Sequence, residues 1–136
     1  MKTRTTSPIL SALILAFLTL GAMQAQAFVV DWRPVGITLG QTARVTAANT
    51  GTRAIIVSGT FLDSEGNVLG QFDRQIIEPG KMMSFDLNGD DIVRESNRIQ
   101  IRLVLSGDSS KGPVSSIEVF ENDSGKTTVF VQDPED

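Results

Sequence analysis

The 136-residue sequence contains no cysteine, no histidine and no tyrosine, and its only tryptophan is Trp32. Without cysteine there is no disulfide, no thiolate metal ligand and no thiol nucleophile, so a folded core must supply the stability. Without histidine the commonest general base and the commonest transition-metal ligand are missing. A carboxylate pair would still allow hydrolysis, but nearly all the acidic residues lie in predicted turns. The sequence therefore predicts a protein that is not an enzyme and needs no cofactor.

Long apolar runs are equally scarce, and the one present lies near the beginning of the chain. Lys2 and Arg4 precede an apolar stretch from Ile9 to Leu20, and Ala25-Gln26-Ala27 has the small side chains that signal peptidase requires. The stretch is shorter than the roughly 20 residues that span a bilayer. We predict a cleavable N-terminal signal helix in residues 1–27, a periplasmic or secreted protein, and no membrane span after cleavage. An uncleaved anchor is the alternative.

Basic residues are few once this leader is removed. Loss of Lys2 and Arg4 leaves ten basic and sixteen acidic residues, a net charge of −6. Such a chain repels nucleic-acid phosphates, so no nucleic-acid partner is expected. What remains is long enough for one domain. We assign residues 28–132 to that domain and residues 133–136, Asp-Pro-Glu-Asp, to an acidic tail.

Residues 98–105 carry the clearest strand pattern of the chain. Apolar residues alternate with polar ones throughout this segment, as in a strand with one buried face: Ile99, Ile101, Leu103 and Leu105 against Arg98, Gln100 and Arg102. Similar short segments, separated by turn residues about every ten positions, predict seven to nine strands, and no segment after the leader has helical periodicity. We predict an all-β protein with an antiparallel β-sandwich. A closed barrel is the alternative.

The turns also support a resemblance to a known group of proteins. Asn49-Thr50-Gly51, the turn at 63–67 and Glu78-Pro79-Gly80-Lys81 resemble the turns of immunoglobulin-like modules in bacterial envelope proteins. The segment Ile117 to Thr128 looks like the final hairpin of small exported bacterial proteins whose function is not established. The resemblance implies an immunoglobulin-like antiparallel β-sandwich, and it carries over no functional residue.

The best metal candidate is the acidic segment at 86–91, after the predicted turn at 78–81. Four residues there have the oxygen ligands and part of the spacing of a calcium loop: Asp86, Asn88, Asp90 and Asp91. The match to the EF-hand pattern then fails, because Gly89 is the fourth residue rather than the sixth, and the twelfth is Asn97 rather than glutamate. These residues are weak calcium candidates, and an ordinary solvated turn is the alternative.

Three residues are candidates for contact with a partner. Trp32 would be an anchor if exposed, although filling the end of the sandwich is the favoured interpretation. Arg98 and Arg102 share the polar face of one strand, expected near Arg44, and would suit an acidic partner. A solvated sheet face is the alternative.

The function that follows is a binding or structural module of the bacterial cell envelope, engaging a protein partner through a sheet edge or loops. Strand addition suits such a fold, and the expected edges are the strands at 35–39 and 68–77. A small-ligand or calcium-binding domain using its acidic loops is the alternative. The oligomeric state is left open.

Overall fold

The computed structural model describes residues 27–93 and 98–132, so that the predicted signal helix, apart from Ala27, and the acidic tail lie outside the described residues. The described residues form nine strands and one short helix: β1 (Phe28–Asp31), β2 (Val35–Ile37), β3 (Gln41–Ala48), β4 (Ile55–Leu62), β5 (Val68–Ile77), β6 (Met82–Asn88), α1 (Gly89–Ile92), β7 (Ile99–Gly107), β8 (Val114–Glu121) and β9 (Thr127–Gln132). The nine strands agree with the predicted number of seven to nine, and the short helix α1 lies in the acidic connection after β6.

The strands form two antiparallel sheets. The first sheet has the order β1-β7-β4-β5, with β2 also paired to β7, and the second has the order β6-β3-β8-β9. β1 and β2 pair with successive parts of the same side of β7, Phe28 opposite Gly107 and Ile37 opposite Ile99. Between them lies Pro34, which has no N–H to donate. The all-β prediction is confirmed, and the two sheets are those of a β-sandwich rather than a single closed barrel.

The core between the sheets follows from alternation along the strands. In β7 the side chains of Ile101, Leu103 and Leu105 are buried, and they belong to one cluster with inward-facing residues of β3 such as Val45. Gly59 in β4 is covered by the ring of Phe72 in β5, where a Cβ atom would come within 2.4 Å of the ring. A side chain at this position would therefore displace a core aromatic residue.

Asn49 ties the two sheets together at one end. It is buried, and its Nδ2 donates to the carbonyl oxygens of Arg53 and Ile77 at 2.7 and 2.8 Å, while its Oδ1 accepts from Gly51 N at 2.9 Å. Its own carbonyl oxygen accepts from Gly80 N at 2.8 Å. The predicted turns at 49–52 and 78–81 are thus joined through one satisfied side chain.

Within the described ranges, the structure has no helix of the length and apolar character that a membrane crossing requires.

Candidate functional site

The calcium candidates do not converge on one point. Asp86 lies on the outer face of the second sheet, where its carboxylate accepts two hydrogen bonds from Arg44, at 2.7 and 2.8 Å. The Arg44 guanidinium also lies over the Phe120 ring, 5.1 Å from its centre. The hydrogen bond to Asp86 raises the pKa of Arg44. Asp86 is therefore part of a cross-strand pair.

Asn88 and Asp90 lie beyond the end of that pair and hold α1 against two loops. Asn88 Oδ1 accepts from Asp90 N at 3.0 Å, as the N-cap of α1. Asp90 Oδ1 accepts from Gly40 N at 2.6 Å, and its Oδ2 accepts from Asn122 Nδ2 at 3.2 Å. Asn122 Oδ1 in turn accepts from Thr42 at 2.6 Å. These oxygens already have protein donors, so the cluster closes one end of the sandwich.

The described residues contain no group of three or more histidine, cysteine, aspartate or glutamate side chains arranged to hold a metal ion. Asp91 is exposed beside this cluster. Calcium binding by these four residues stays a prediction.

The other acidic turn, between β4 and β5, is organised by its own first residue. Asp63 Oδ1 accepts from the backbone nitrogens of Glu65 and Asn67, both at 2.8 Å, and Oδ2 accepts from Asn67 Nδ2 at 2.9 Å. The side-chain hydrogen bond from Asn67, followed by the backbone ones, holds the pKa of Asp63 below its usual value. The turn chemistry predicted here is confirmed, and its carboxylate is engaged within the turn.

Trp32 is only 4% exposed and belongs to the core cluster. Its indole Nε1 is buried without a hydrogen-bond partner among the described atoms. The favoured interpretation of Trp32 as a residue that fills the sandwich agrees with this placement, because a buried side chain offers no surface to a partner.

Arg98 and Arg102, the two arginines of the predicted strand at 98–105, lie at different places on the first sheet. Arg102 is on the outer face, with Nη1 3.5 Å from the Asp31 carboxylate across the β1–β7 pair. The Arg98 side chain lies against Gly36 of β2, where a Cβ atom would come within 2.1 Å of its Nε. The expected proximity of Arg44 is wrong, because Arg44 faces outward from the second sheet. Arg102 lies on the polar outer face, as the alternation in its strand predicts. Alternation does not tell which strands share a sheet.

A shallow depression of about 500 Å³ lies at one end of the outer face of the first sheet. Its rim includes Arg74, Asp73 and Asp108. Asp73 accepts from the Ser58 hydroxyl at 2.8 Å, and Asp108 accepts from Ile56 N at 3.1 Å. Each carboxylate therefore already accepts a hydrogen bond from a donor of the sheet, a side chain for Asp73 and a backbone nitrogen for Asp108.

The four outermost positions of the two sheets differ in how well they are protected from pairing with another strand. The two strands that were expected to be edges, at 35–39 and 68–77, are both confirmed as edges, since β2 and β5 each pair with one neighbour. β2 is only three residues long. β5 is interrupted opposite Ser58, where Asp73 and Arg74 occupy the place of one residue and Arg74 has φ 47°. A charged bulge of this kind is a recognised protection of an edge.

The edge at β9 lacks these protections from Val129 onward. β9 pairs only with β8 among the described strands, and its six residues, Thr-Thr-Val-Phe-Val-Gln, include no charge, proline or glycine. Phe130 is 56% exposed. By contrast β1, β5 and β6 each contain at least one aspartate. A bulge at Thr128 affects only the beginning of β9. Among the described residues, the unguarded edge is therefore the segment from Val129 to Gln132.

The alternation of Val129, Phe130 and Val131 predicts a strand here, but it does not predict that the strand lies at an edge. The signal available in the sequence was the absence of charge over 127–132, next to an acidic tail and after Lys126. High β-propensity with no charge and no proline marks a segment prone to pair with other strands.

Comparison of the chain with protein-family models, with curated proteins and with solved structures gives no match.

Proposed function

We propose that the chain is an exported, non-catalytic binding module of the bacterial cell envelope that holds a protein partner by strand addition along β9. The observation that carries the proposal is the open side of β9, with six uncharged residues and an exposed phenylalanine. An extended partner segment would complete the hydrogen bonds of this edge, and its side chains would alternate between the core side and the outer face.

The acidic side chains elsewhere on the surface favour binding at a sheet edge over binding in a pocket. The carboxylates of Asp63, Asp86 and Asp90 accept hydrogen bonds from within the fold, as described above. Strand addition needs only backbone groups and a pattern of apolar side chains. It therefore suits a chain that contains no histidine and no cysteine.

An immunoglobulin-like identity is part of the proposal, and the central pairings support it. β3 pairs with β6, β4 with β7, and β4 with β5, the neighbours that strands B and E, C and F, and C and C′ have in that fold. The edges differ, because β1 and β2 occupy the position beside β7 where strand G would lie. β8 takes the position of strand A beside β3. β9 is then an added strand, outside the common pattern.

Export is proposed from the leader in residues 1–27. Ala27 is exposed, and β1 begins at the next residue, Phe28, so that cleavage after Ala27 would leave every described strand intact. The N-terminal residue of material recovered from the envelope or the medium tests this step, and a start at Phe28 is expected.

Site-specific photocrosslinking in the bacterium that makes the protein tests the binding proposal. Benzoylphenylalanine replaces Phe130 in one full-length variant and Ile76, which is 66% exposed on edge strand β5, in the other. Irradiation is expected to link the Phe130 variant, but not the Ile76 variant, to an extended protein segment, identified by mass spectrometry of the linked peptides. Equal products from both positions, or products from Ile76 alone, would contradict a site on β9.

A further inference from the structure

We infer that the strand which completes β9 is β9 of a second copy of this chain, giving a two-fold antiparallel dimer with a continuous sheet of eight strands. This inference rests on the proposed function, because it names the partner of the same edge.

Alternation restricts the register of such a pair. Val129 and Val131 are partly buried against the core, whereas Phe130 between them is exposed on the outer face. Two copies related by a two-fold axis perpendicular to the sheet keep the same face outward. Since directly opposite residues of an antiparallel pair lie on the same face, an outward residue must oppose an outward one. The axis must therefore lie midway between the two copies of one residue, so that this residue faces its own copy.

Phe130 is the residue that suits this axis. Centred there, each Val129 lies opposite Val131 of the second copy, and the two Phe130 side chains lie opposite each other on the outer face. Aromatic and β-branched pairs are the favourable cross-strand pairs, at about 0.2–1 kcal/mol each. The exposed ring would be covered and the partly buried valines would extend the core across the axis.

Charge favours the antiparallel direction. Antiparallel pairing brings the beginning of each β9, which Lys126 precedes in the sequence, to the end of the other β9, which Asp-Pro-Glu-Asp follows in the sequence. A parallel, in-register pair would instead bring the two acidic C-terminal ends together, where like charges repel each other. The attraction is of the surface kind and is reduced by salt. It therefore selects direction more than it adds affinity.

The size of the contact sets the expected strength. One pair of six-residue strands buries less than the roughly 1,200 Å² of a standard stable interface. A reversible dimer is expected, with a dissociation constant on the order of 10–100 μM.

Charge exchange at the axis is the test, followed by sedimentation velocity of the full processed chain from 5 to 500 μM. Phe130→Glu and Phe130→Lys are each expected to weaken self-association at least tenfold, because like charges meet at the axis. An equimolar mixture of the two is expected to restore it as a heterodimer. Ile76→Glu, an equally exposed change on β5, is the matched control and should leave association unchanged. Circular dichroism confirms that each variant is folded.

Direction is tested with thiols, because the chain has no cysteine of its own. Val129→Cys and Val131→Cys, which lie beyond the bulge at Thr128, should form a mixed disulfide on oxidation, and Val131→Cys alone should not. A Val131 self-disulfide would show that the pair is parallel or is centred on another residue, and would overturn the inference in either case, as would large aggregates in place of a dimer.

The outcomes separate this inference from the proposed function. A chain that is monomeric at 500 μM, but is crosslinked through position 130 to a different protein, overturns the second copy as partner and leaves strand addition standing. A monomeric chain with no product from position 130 overturns both. Loss of association by Ile76→Glu as well as Phe130→Glu would place the contact elsewhere.

Discussion

Two hairpins of this chain each deliver a strand to the edge of a sheet, yet they are built differently. β5 of the β4–β5 hairpin is attached through the buried side chains of Phe72 and Ile77. β9 of the β8–β9 hairpin is attached through Val129 and Val131, which are only partly buried. The edge strand β5 is anchored by buried side chains and protected at its edge, whereas β9 is neither, although its partner strand β8 has Ile117 and Val119 in the core. An edge that is meant to pair must keep its backbone accessible, and β9 meets that condition.

The largest difference should appear when the same residue type is truncated in each hairpin. The Phe72 ring lies 5.0 Å from that of Phe85 and covers Gly59, so Phe72→Ala should lower the free energy of unfolding by about 3 kcal/mol or more. Phe130→Ala, at an exposed position, should lower it by about 0.5 kcal/mol or less. Urea denaturation at a concentration of a few micromolar, where the chain is monomeric, measures both. Similar losses for the two variants would show that β9 is as firmly anchored as β5.

The bulge of β5 gives a smaller and opposite effect. Arg74 has φ 47°, a left-handed conformation that costs a side-chain-bearing residue about 1–2 kcal/mol, while glycine loses about 0.5–1 kcal/mol of chain entropy. Arg74→Gly should therefore stabilise the protein by roughly 0.5 kcal/mol and raise Tm by about 3 °C. Gln75→Gly, at the next residue in ordinary strand conformation, is the control and should destabilise. A loss of stability in Arg74→Gly matching that control would show that the Arg74 conformation carries no strain.

The two hairpins also show what could be predicted from the sequence. Both were predicted, because alternation such as that of Val129, Phe130 and Val131 and turn residues such as Gly66 and Gly125 are local signals. Their different roles were not predicted. Alternation tells which face a side chain occupies, but the order of strands in a sheet depends on contacts between distant residues. For the same reason Arg44 was expected beside Arg102, although the two lie on opposite outer faces.

The acidic residues of the candidate site also show that a local sequence pattern does not predict contacts between distant residues. Asp63, Asp86 and Asp90 have the same side chain and all lie in or next to predicted turns. Their partners differ: backbone nitrogens of its own turn for Asp63, Arg44 for Asp86, and Gly40 and Asn122 for Asp90. Gly40 is 50 residues away from Asp90 in the chain. No spacing rule for a calcium loop contains that information.

The smallest expected difference between the hairpins is their response to acid. The β4–β5 turn is held by an ionised carboxylate, whereas in the β8–β9 turn the neutral Ser124 hydroxyl accepts from Lys126 N at 3.2 Å. The hydrogen bonds from Asn67 lower the pKa of Asp63 below its ordinary value of 3.8 in the folded protein. The folded state then binds fewer protons than the unfolded state near that pH, so this contribution to stability is fully present above about pH 4 and is lost as pH falls through the lowered pKa.

The urea midpoint of the parent protein should accordingly fall more steeply below pH 4 than that of Asp63→Asn. Glu65→Gln, which removes one charge from the same turn without removing these hydrogen bonds, should follow the parent. Curves for the parent and Asp63→Asn that stay parallel down to pH 2.5 would show that the turn holds without its carboxylate charge, and the two hairpins would then not differ in their response to acid.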